Sequence, residues 1–454
     1  MESSRPETST AVPNARTYER PEHPVSRKDF AREVIWVLQR LKFNGHKAFL
    51  VGGAVRDLYL GREPKDYDVA TDARPARLKK LFRNCRIIGR RFRIAHVFFP
   101  SGRIIEVATF RRNSPNNLRG DSGIILRDNE FGNPVEDAQR RDLTINALFY
   151  DFATFSVLDY IGGVDDLKRG VIRMINDPEQ SFREDPVRMM RALRHAARLD
   201  FHIEDETRRA IYEMAGDILE ANPSRLLEEF FKDLRGGASR KYFEALLETG
   251  LLEALLPELA DQFQEFGEEH PLWGRLEVLD QRCAAGQTYS NSVLLSAFLH
   301  TLLFPEPDDW ECDDPPPPNA WNLISSAFRD IPRSIRISRR DTERVAQILI
   351  AHRKLRQQLE RGKLPRMLAS KNYIEEALDF LSIDQEARGL PLDHVEEWSA
   401  QAKERRADSR SAGGTDGPSG SDAPRKRRRR RRRRPNPDGP SGGSNSGDSK
   451  NSGD

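Results

Sequence analysis

The chain has 454 residues, 37% hydrophobic and 32% charged, enough for two or three domains with a sizeable core. No apolar run reaches the ~20 residues a membrane-spanning helix needs, and three scattered cysteines, Cys85, Cys283 and Cys312, exclude a disulfide framework and a cysteine-ligated metal site. The net charge of +3 conceals an asymmetry: Arg425, Lys426 and Arg427 to Arg434 are ten consecutive cations, so the rest of the chain carries −7 (+3 less ten).

Residues 1–24 read as a disordered lead, polar and Pro-rich, without the apolar stretch of a secretory signal. This predicts a cytoplasmic protein with no membrane contact. Ser26 with Asp29 reads as the start of a helix whose apolar positions Phe30, Val34, Val37, Leu38 and Leu41 recur at helical spacing, ending at Asn44-Gly45. Ala48 to Val51 is a buried-strand candidate running into Gly52-Gly53. A short helix over Ala54–Leu60 follows, then a strand around Tyr67–Ala70 and a helix over Pro75–Phe82. Further strands fall near Arg86–Ile88, Ile94–Phe99 and Arg103–Thr109. Residues 111–134 read as a long polar loop of functional length. A helix is expected over Glu136–Leu148, and Gly162-Gly163 marks a turn. From Glu179 to Ala407 the pattern is helical, broken by a Pro-rich insert at Pro305–Pro318. Ser409–Gly420 is a Gly/Ser linker and the remainder a low-complexity tail.

Asp66-Tyr67-Asp68 is the first chemical motif. On a strand, side chains two apart share a face. Two carboxylates there repel unless a cation lies between them, and hard cations such as Mg²⁺ favour carboxylate oxygens. Just upstream, Leu50-Val51-Gly52-Gly53-Ala54-Val55-Arg56-Asp57 is a strand, two glycines and a helix start, a pattern that lets backbone amides approach a phosphate. Glu106, in an apolar strand, either faces solvent or supplies a third carboxylate to the same site. In the helix expected over Arg183–Leu199, Glu184, Arg188, Arg191 and His195 fall on one face. Met189, Met190, Leu193, Ala196 and Ala197 fall on the other.

Four blocks carry a resemblance: Leu50–Asp57 with Asp66 and Asp68; Arg140–Leu148; Tyr160–Gly163 with Asp166-Leu167; and Arg183–Arg194. Over residues 46–235 they are similar, in order and spacing, to the poly(A) polymerase and CCA-adding tRNA nucleotidyltransferase family, class II of the polymerase-beta superfamily. His195 departs from the family, which usually has Phe there. The resemblance implies an α+β protein: a polymerase-beta-like nucleotidyltransferase head over 25–175, a helical neck for base recognition over 176–235, an all-α RNA-binding body over 236–408 and a basic tail over 409–454. It implies that Asp66 and Asp68 hold Mg²⁺ and that Asp142 completes the catalytic set. Gly52, Gly53 and Arg56 would contact the triphosphate, Arg141 and Asp142 the phosphate and ribose, and Asp185, Arg188 and Arg191 the nucleotide.

The expected chemistry of base reading is explicit. A carboxylate only accepts and a guanidinium only donates. Adenine and cytosine offer an amino donor beside a ring-nitrogen acceptor, while guanine and uracil present the reverse. Asp185 with Arg188 would therefore select A and C without separating them. That separation is expected from Ile87–Val97, which looks like the segment distinguishing the family's bacterial poly(A) branch. There Arg90, Arg91 and Arg93 flank an aromatic and can hold RNA backbone and base. The terminal cations suit sequence-blind RNA capture. The expected activity is addition of AMP from ATP to RNA 3′ ends. The alternatives are CCA addition to tRNA, or an RNA-binding protein that keeps the fold without catalysis.

Overall fold

The computed structural model describes residues 15–89, 93–112, 130–304, 319–330 and 335–412. The chain divides into two compact units, 1–404 and 405–454. Of the second, residues 405–412 are described and are helical. No helix among the described residues is long and apolar enough to cross a membrane.

Eight strands form one mixed sheet: β1 (Arg16–Tyr18), β2 (Ala48–Val51), β3 (Asp68–Thr71), β4 (Cys85–Ile88), β5 (Ile94–Phe98), β6 (Ile104–Thr109), β7 (Leu148–Asp151) and β8 (Ser156–Asp159). Their order is β1-β8-β7-β2-β3-β6-β5-β4. β3 and β6 run parallel and the other neighbours antiparallel. β2 lies inside the sheet and all four of its residues are buried, as its uninterrupted apolar run requires. Its alternation feeds two cores. Ala48 and Leu50 join the main cluster, whereas Phe49 and Val51 pack on the opposite face with Phe110, Ala138 and Phe149. Helix α1 (Arg32–Phe43) buries Val34, Val37, Leu38 and Leu41 in the main cluster. Each such side chain contributes about 1.5–3 kcal/mol of burial.

The other helices of the head and neck are α2 (Gly53–Tyr59), α3 (Pro75–Leu81), α4 (Pro134–Gln139), α5 (Gly163–Arg169), α6 (Pro178–Glu184), α7 (Val187–Leu199), α8 (Asp205–Glu213), α9 (Pro223–Leu234) and α10 (Ser239–Glu248). Strands β9 (Val171–Ile172) and β10 (His202–Ile203) form a parallel pair among them. From Leu251 onward the described elements are all helical, the last being Asp393–Ala412. The main core cluster runs without a break from Tyr18 in the head through α7 and α9 to Ile383.

Several expected elements differ. Residues 15–24 lie in the lead read as disordered, yet Arg16–Tyr18 pairs with β8 and Tyr18 is buried. An exposed-edge pairing of three residues leaves little hydrophobic pattern to read. Ser26 caps a 3-10 turn (Arg27–Asp29) by accepting from the Lys28 N–H, and the α-helix begins only at Arg32. The helix expected over Glu136–Leu148 ends at Gln139. A turn and the 3-10 segment Thr144–Asn146 follow, and β7 begins at Leu148. Tertiary pairing overrides local propensity here: the Thr144 N–H donates to the Arg173 carbonyl and Leu143 bridges Met174. The helix expected over Arg183–Leu199 is broken at Asp185-Pro186, because a proline has no N–H and its predecessor avoids the helical region. The final helix, Asp393–Ala412, extends into the segment read as a linker.

Candidate active site

The parallel register of β3 and β6 sets Asp68 opposite Glu106, and the antiparallel register of β2 and β3 sets Val51 opposite Asp68. The strand end that carries Asp68 is therefore the end at which β2 turns through Gly52 into α2. Asp68 is the first residue of β3, whereas Asp66 sits in the bend just before it rather than on the strand. Both residues keep exposed surface. Even so, the Asp68 carboxyl is pushed up to about 6. Loss of water in the cleft is the largest cause, the negative charge of Glu106 the next, and Asp66 adds to it against the opposing Arg141. Among the described residues neither Asp66 nor Asp68 has a hydrogen bond or ion pair. Glu106 has one neighbour of the other kind, His96 Nε2 at 3.3 Å. The charges of Glu106 and Asp66 thus both act on Asp68, although among the described residues no three or more His, Cys, Asp or Glu side chains are gathered as a ready-made metal site; carboxylate oxygens such as those of Asp66 and Asp68 are the donors a hard divalent ion favours.

Gly52 has φ +72°, and a Cβ there would stand 3.0 Å from Arg141 Nη1 and 3.9 Å from Asp68 Oδ2. Only glycine meets both demands. Arg141 donates to the Asn146 carbonyl at 3.2 Å and to Asp137 Oδ2 at 3.0 Å, while its buried Nε has no partner among the described residues. The guanidinium is thus fixed at the Gly52 turn beside Asp68.

The block Tyr160–Gly163 turns out to be a clamp. The Asp159 carboxylate accepts from four successive N–H groups, Ile161 to Val164, at 2.8–3.1 Å. A Cβ on Gly163 would lie 2.2 Å from the Thr144 carbonyl oxygen. Thr144 Oγ1 donates to Asp166 Oδ2 at 2.7 Å. These contacts hold the Arg140–Asn146 segment, and hence Asp142, against the sheet.

Arg56, expected at the triphosphate, is 3% exposed, and a Cβ on Gly53 would lie 3.4 Å from its Nη2. Its Nε and Nη2 donate to Asp57 Oδ1 at 2.9 and 2.7 Å, and Nη1 donates to Asn146 Oδ1 at 2.7 Å and faces His195 Nδ1 at 3.3 Å. One turn into α2, it falls on the buried face of that helix, where a guanidinium must be paired. His195 is likewise not on a solvated face. It is buried, and burial first, then Arg56, Arg194 and Arg191, hold its pKa well below the ordinary value, so the ring is neutral. Asp142 is adjacent: its Oδ2 accepts from Arg191 Nε at 2.6 Å and its Oδ1 from the Leu143 N–H at 2.8 Å and Asn146 Nδ2 at 3.4 Å. Burial alone would raise this carboxyl, but Arg191 more than reverses that and keeps it ionised. Arg191 also lies 3.7 Å from Glu229 of α9, and Arg194 pairs with Glu229 and, at 3.2 Å, with Asp233. The polar stripe of α7 is therefore packed between head and α9.

Asp185 and Arg188 sit at the break between α6 and α7. Asp185 is buried, with its two oxygens accepting from Arg225 Nη1 and Nη2 at 2.6 and 2.8 Å. Arg188 donates to the Ser181 carbonyl at 3.2 Å and lies 3.6 Å from Glu184. Asp66, Asp68, Gly52, Gly53 and Arg141 are thus brought together at the sheet end. Asp142 and Arg191 are joined to Arg56 through Asn146 and His195, and Asp185 with Arg188 lies at the neck break. Arg90 and Arg91 lie outside the described residues, and Arg93 is exposed just before β5. Sequence reasoning missed Arg225, Glu229 and Asp137 as partners of the site. The only available signal was their charge on otherwise amphipathic helices, which a solvated face carries equally well.

Residues 48–173 match the family described as "Poly A polymerase head domain", and residues 200–263 match "Probable RNA and SrmB- binding site of polymerase A". A protein called Poly(A) polymerase I from Salmonella typhimurium is 48% identical over 274 residues, covering 59% of this chain and 59% of the relative. A CCA-adding enzyme from Bacillus velezensis is 35% identical over 251 residues, covering 55% of this chain and 62% of the relative. The match thus spans about three fifths of the length of these curated relatives. The structure of Bacillus stearothermophilus CCA-adding enzyme in complex with CTP superposes with a TM-score of 0.55 at 25% identity, covering 84% of this chain and 83% of that one. Residues 48–173 and 200–263 are thus similar to the head and RNA-binding regions of poly(A) polymerases, and the fold is similar to that of a CCA-adding enzyme.

Proposed function

We propose that this protein is a template-independent polynucleotide adenylyltransferase, transferring AMP from ATP to RNA 3′ ends with release of pyrophosphate. The observation that carries the reading is the placement of Asp68 beside the Gly52 turn and the Arg141 guanidinium, with the charges of Glu106 and Asp66 acting on it and neither aspartate in a side-chain ion pair among the described residues. Asp66 and Asp68 are the residues that would hold Mg²⁺. When bound there, the ion would supply charge neutralisation for the triphosphate and lower the pKa of the attacking hydroxyl.

The chain's own groups do the remaining work. Arg141, fixed by Asp137 and the Asn146 carbonyl, offers its guanidinium to phosphate oxygens where negative charge develops. The Gly52 turn leaves room for a phosphate to approach the backbone. Asp142, kept ionised by Arg191, presents an acceptor to the sugar. Asp185 and Arg188 present an acceptor and a donor to the base edge, and so admit A and C. Arg56 supports this set from behind, through Asn146. The RNA strand is the partner to which the match at 200–263 and the ten cations from Arg425 to Arg434 point. The cytoplasm is the expected site of action.

CCA addition is the second reading, favoured by the relative that is 35% identical and by the fold match. Supplying ATP, CTP, GTP and UTP singly with Mg²⁺, to bulk RNA and to tRNA lacking CCA, separates the two. Long A tracts on bulk RNA support the adenylyltransferase. CTP incorporation confined to tRNA ends would transfer the assignment to CCA addition. RNA binding without incorporation of any nucleotide would sink both enzymatic readings.

A further inference from the structure

The two oxygens of Asp185 are engaged by one guanidinium. Arg225, near the start of α9, forms a two-pronged pair with Asp185 at 2.6 and 2.8 Å, although the two residues are 40 positions apart. Asp185 follows α6 directly and precedes Pro186, so its backbone is restricted as well. Its side chain is 11% exposed and that of Arg225 is 35% exposed. Each carboxylate oxygen retains a second lone pair after accepting one N–H. The parallel fork fixes the plane of the carboxylate and the direction of those free lone pairs.

We propose that Arg225 is a specificity-positioning residue, which clamps Asp185 as a fixed, acceptor-only carboxylate so that amino-bearing bases are admitted and carbonyl-bearing ones refused. This rests on the reading that Asp185 and Arg188 face the base.

The chemistry of refusal explains why a clamp is needed. A freely rotating carboxylate would present its acceptor lone pairs in no fixed direction, so the amino group of adenine or cytosine would gain less over the carbonyl of guanine or uracil. The guanidinium suppresses that rotation, since its planar fork engages both carboxylate oxygens. Lysine in its place would supply the charge but not the plane.

The test compares the full-length protein with Arg225→Gln, Arg225→Lys, Asp185→Asn and the Arg225→Gln/Asp185→Asn double variant. Folding is checked by thermal melting, and single-nucleotide incorporation from ATP and GTP is measured on bulk RNA. For Arg225→Gln we expect KM for ATP to rise about 10-fold, preference for ATP over GTP to fall about 10-fold and kcat at saturating ATP to stay within about threefold. Arg225→Lys should recover most of KM and little of the preference. In the Asp185→Asn background, Arg225→Gln should cause no additional loss, because it acts through a group already removed. If Asp185→Asn loses base preference and Arg225→Gln keeps it, the positioning role is wrong and the base-reading role stands. If Asp185→Asn itself keeps base preference, both are wrong.

Discussion

Asp142 in the head and Asp384 in the helical body sit in nearly the same chemical company. Asp142 accepts from Arg191 at 2.6 Å, with neutral His195 and Asn146 close by. Asp384 accepts from Arg275 Nε at 2.9 Å and from His352 Nε2 at 3.1 Å, with His300 facing the same guanidinium at 3.4 Å. In both places an arginine holds the carboxyl below its usual range against the effect of burial. What differs is access. Arg191 keeps 29% of its side chain exposed, whereas Arg275, Asp384, His300 and His352 are all 2% exposed or less, and Phe380 packs on the arginine and both histidines. A carboxylate–arginine–histidine set is therefore not by itself a sign of function. Solvent access at one end separates a site from an internal strut.

The largest expected effect tests the strut. Asp384→Leu strands a buried guanidinium and should cost roughly 3–5 kcal/mol of stability, read as a fall in Tm. The pair Arg275→Met/Asp384→Leu should recover most of that loss, because no unpaired charge remains, with incorporation from ATP little changed at a temperature where the variant is folded. Loss of activity in the folded double variant would break the comparison by giving the body cluster a role in the reaction.

At the other pole, Asp142→Asn should lower kcat/KM for ATP by about 100-fold, equivalent to about 2.7 kcal/mol, with a smaller change in Tm than Asp384→Leu. An equal drop in Tm with unchanged kcat/KM would make Asp142 a second strut.

A pH experiment comes next in size. His270 Nδ1 accepts from the Leu272 N–H, so Nε2 carries the proton and faces Gln262 Oε1 at 3.2 Å. Its pKa is lowered to about 4, by burial first and by Arg275 next. The unfolded chain then binds more protons than the folded one between pH 6.5 and 4, so stability should fall by roughly 1–3 kcal/mol as pH drops through that window. Burial of Asp233, by contrast, pushes its carboxyl up to about 7, so its contribution is present below pH 4 and is lost as pH rises towards 7. Melting curves of His270→Asn should lose part of the acid-side slope, and those of Asp233→Asn part of the opposing one. Unchanged slopes in both would discard this electrostatic account.

The smallest effect concerns His195. His195→Phe removes two long contacts, to Arg56 at 3.3 Å and Asn146 at 3.4 Å, while keeping a ring of similar shape. About 1 kcal/mol or less of stability is expected to change, since such contacts have little net worth. A larger loss would mean that His195 is needed to hold Arg56 and Asn146.

Much of the head was legible because its signals are local. The apolar run Ala48–Val51, the glycines at 52 and 53, and the spacing of Val34, Val37, Leu38 and Leu41 each state a conformation within a few residues. The placement of the Asp66–Asp68 motif on one strand was misread: Asp66 lies in a bend, and Glu106 is set opposite Asp68 by a strand pairing that no local pattern encodes. The partners of Arg56 were illegible for a related reason: its position after two glycines says nothing of Asn146 and His195, which meet it only through the docking of distant segments.

The sequence by itself determined the core-forming periodicities, the glycine turn at 52, the proline that interrupts the neck and the set of acids and arginines available for phosphoryl chemistry. Only the tertiary structure decided which of those charges are spent on each other. It joined Asp185 to Arg225, Arg56 to Asn146, and Asp384 to Arg275, and it gave Asp66 and Asp68 no side-chain ion pair among the described residues. The physical reason is that burial makes every charge seek a partner, and the partner is found by packing of distant elements, which periodicity along the chain does not specify.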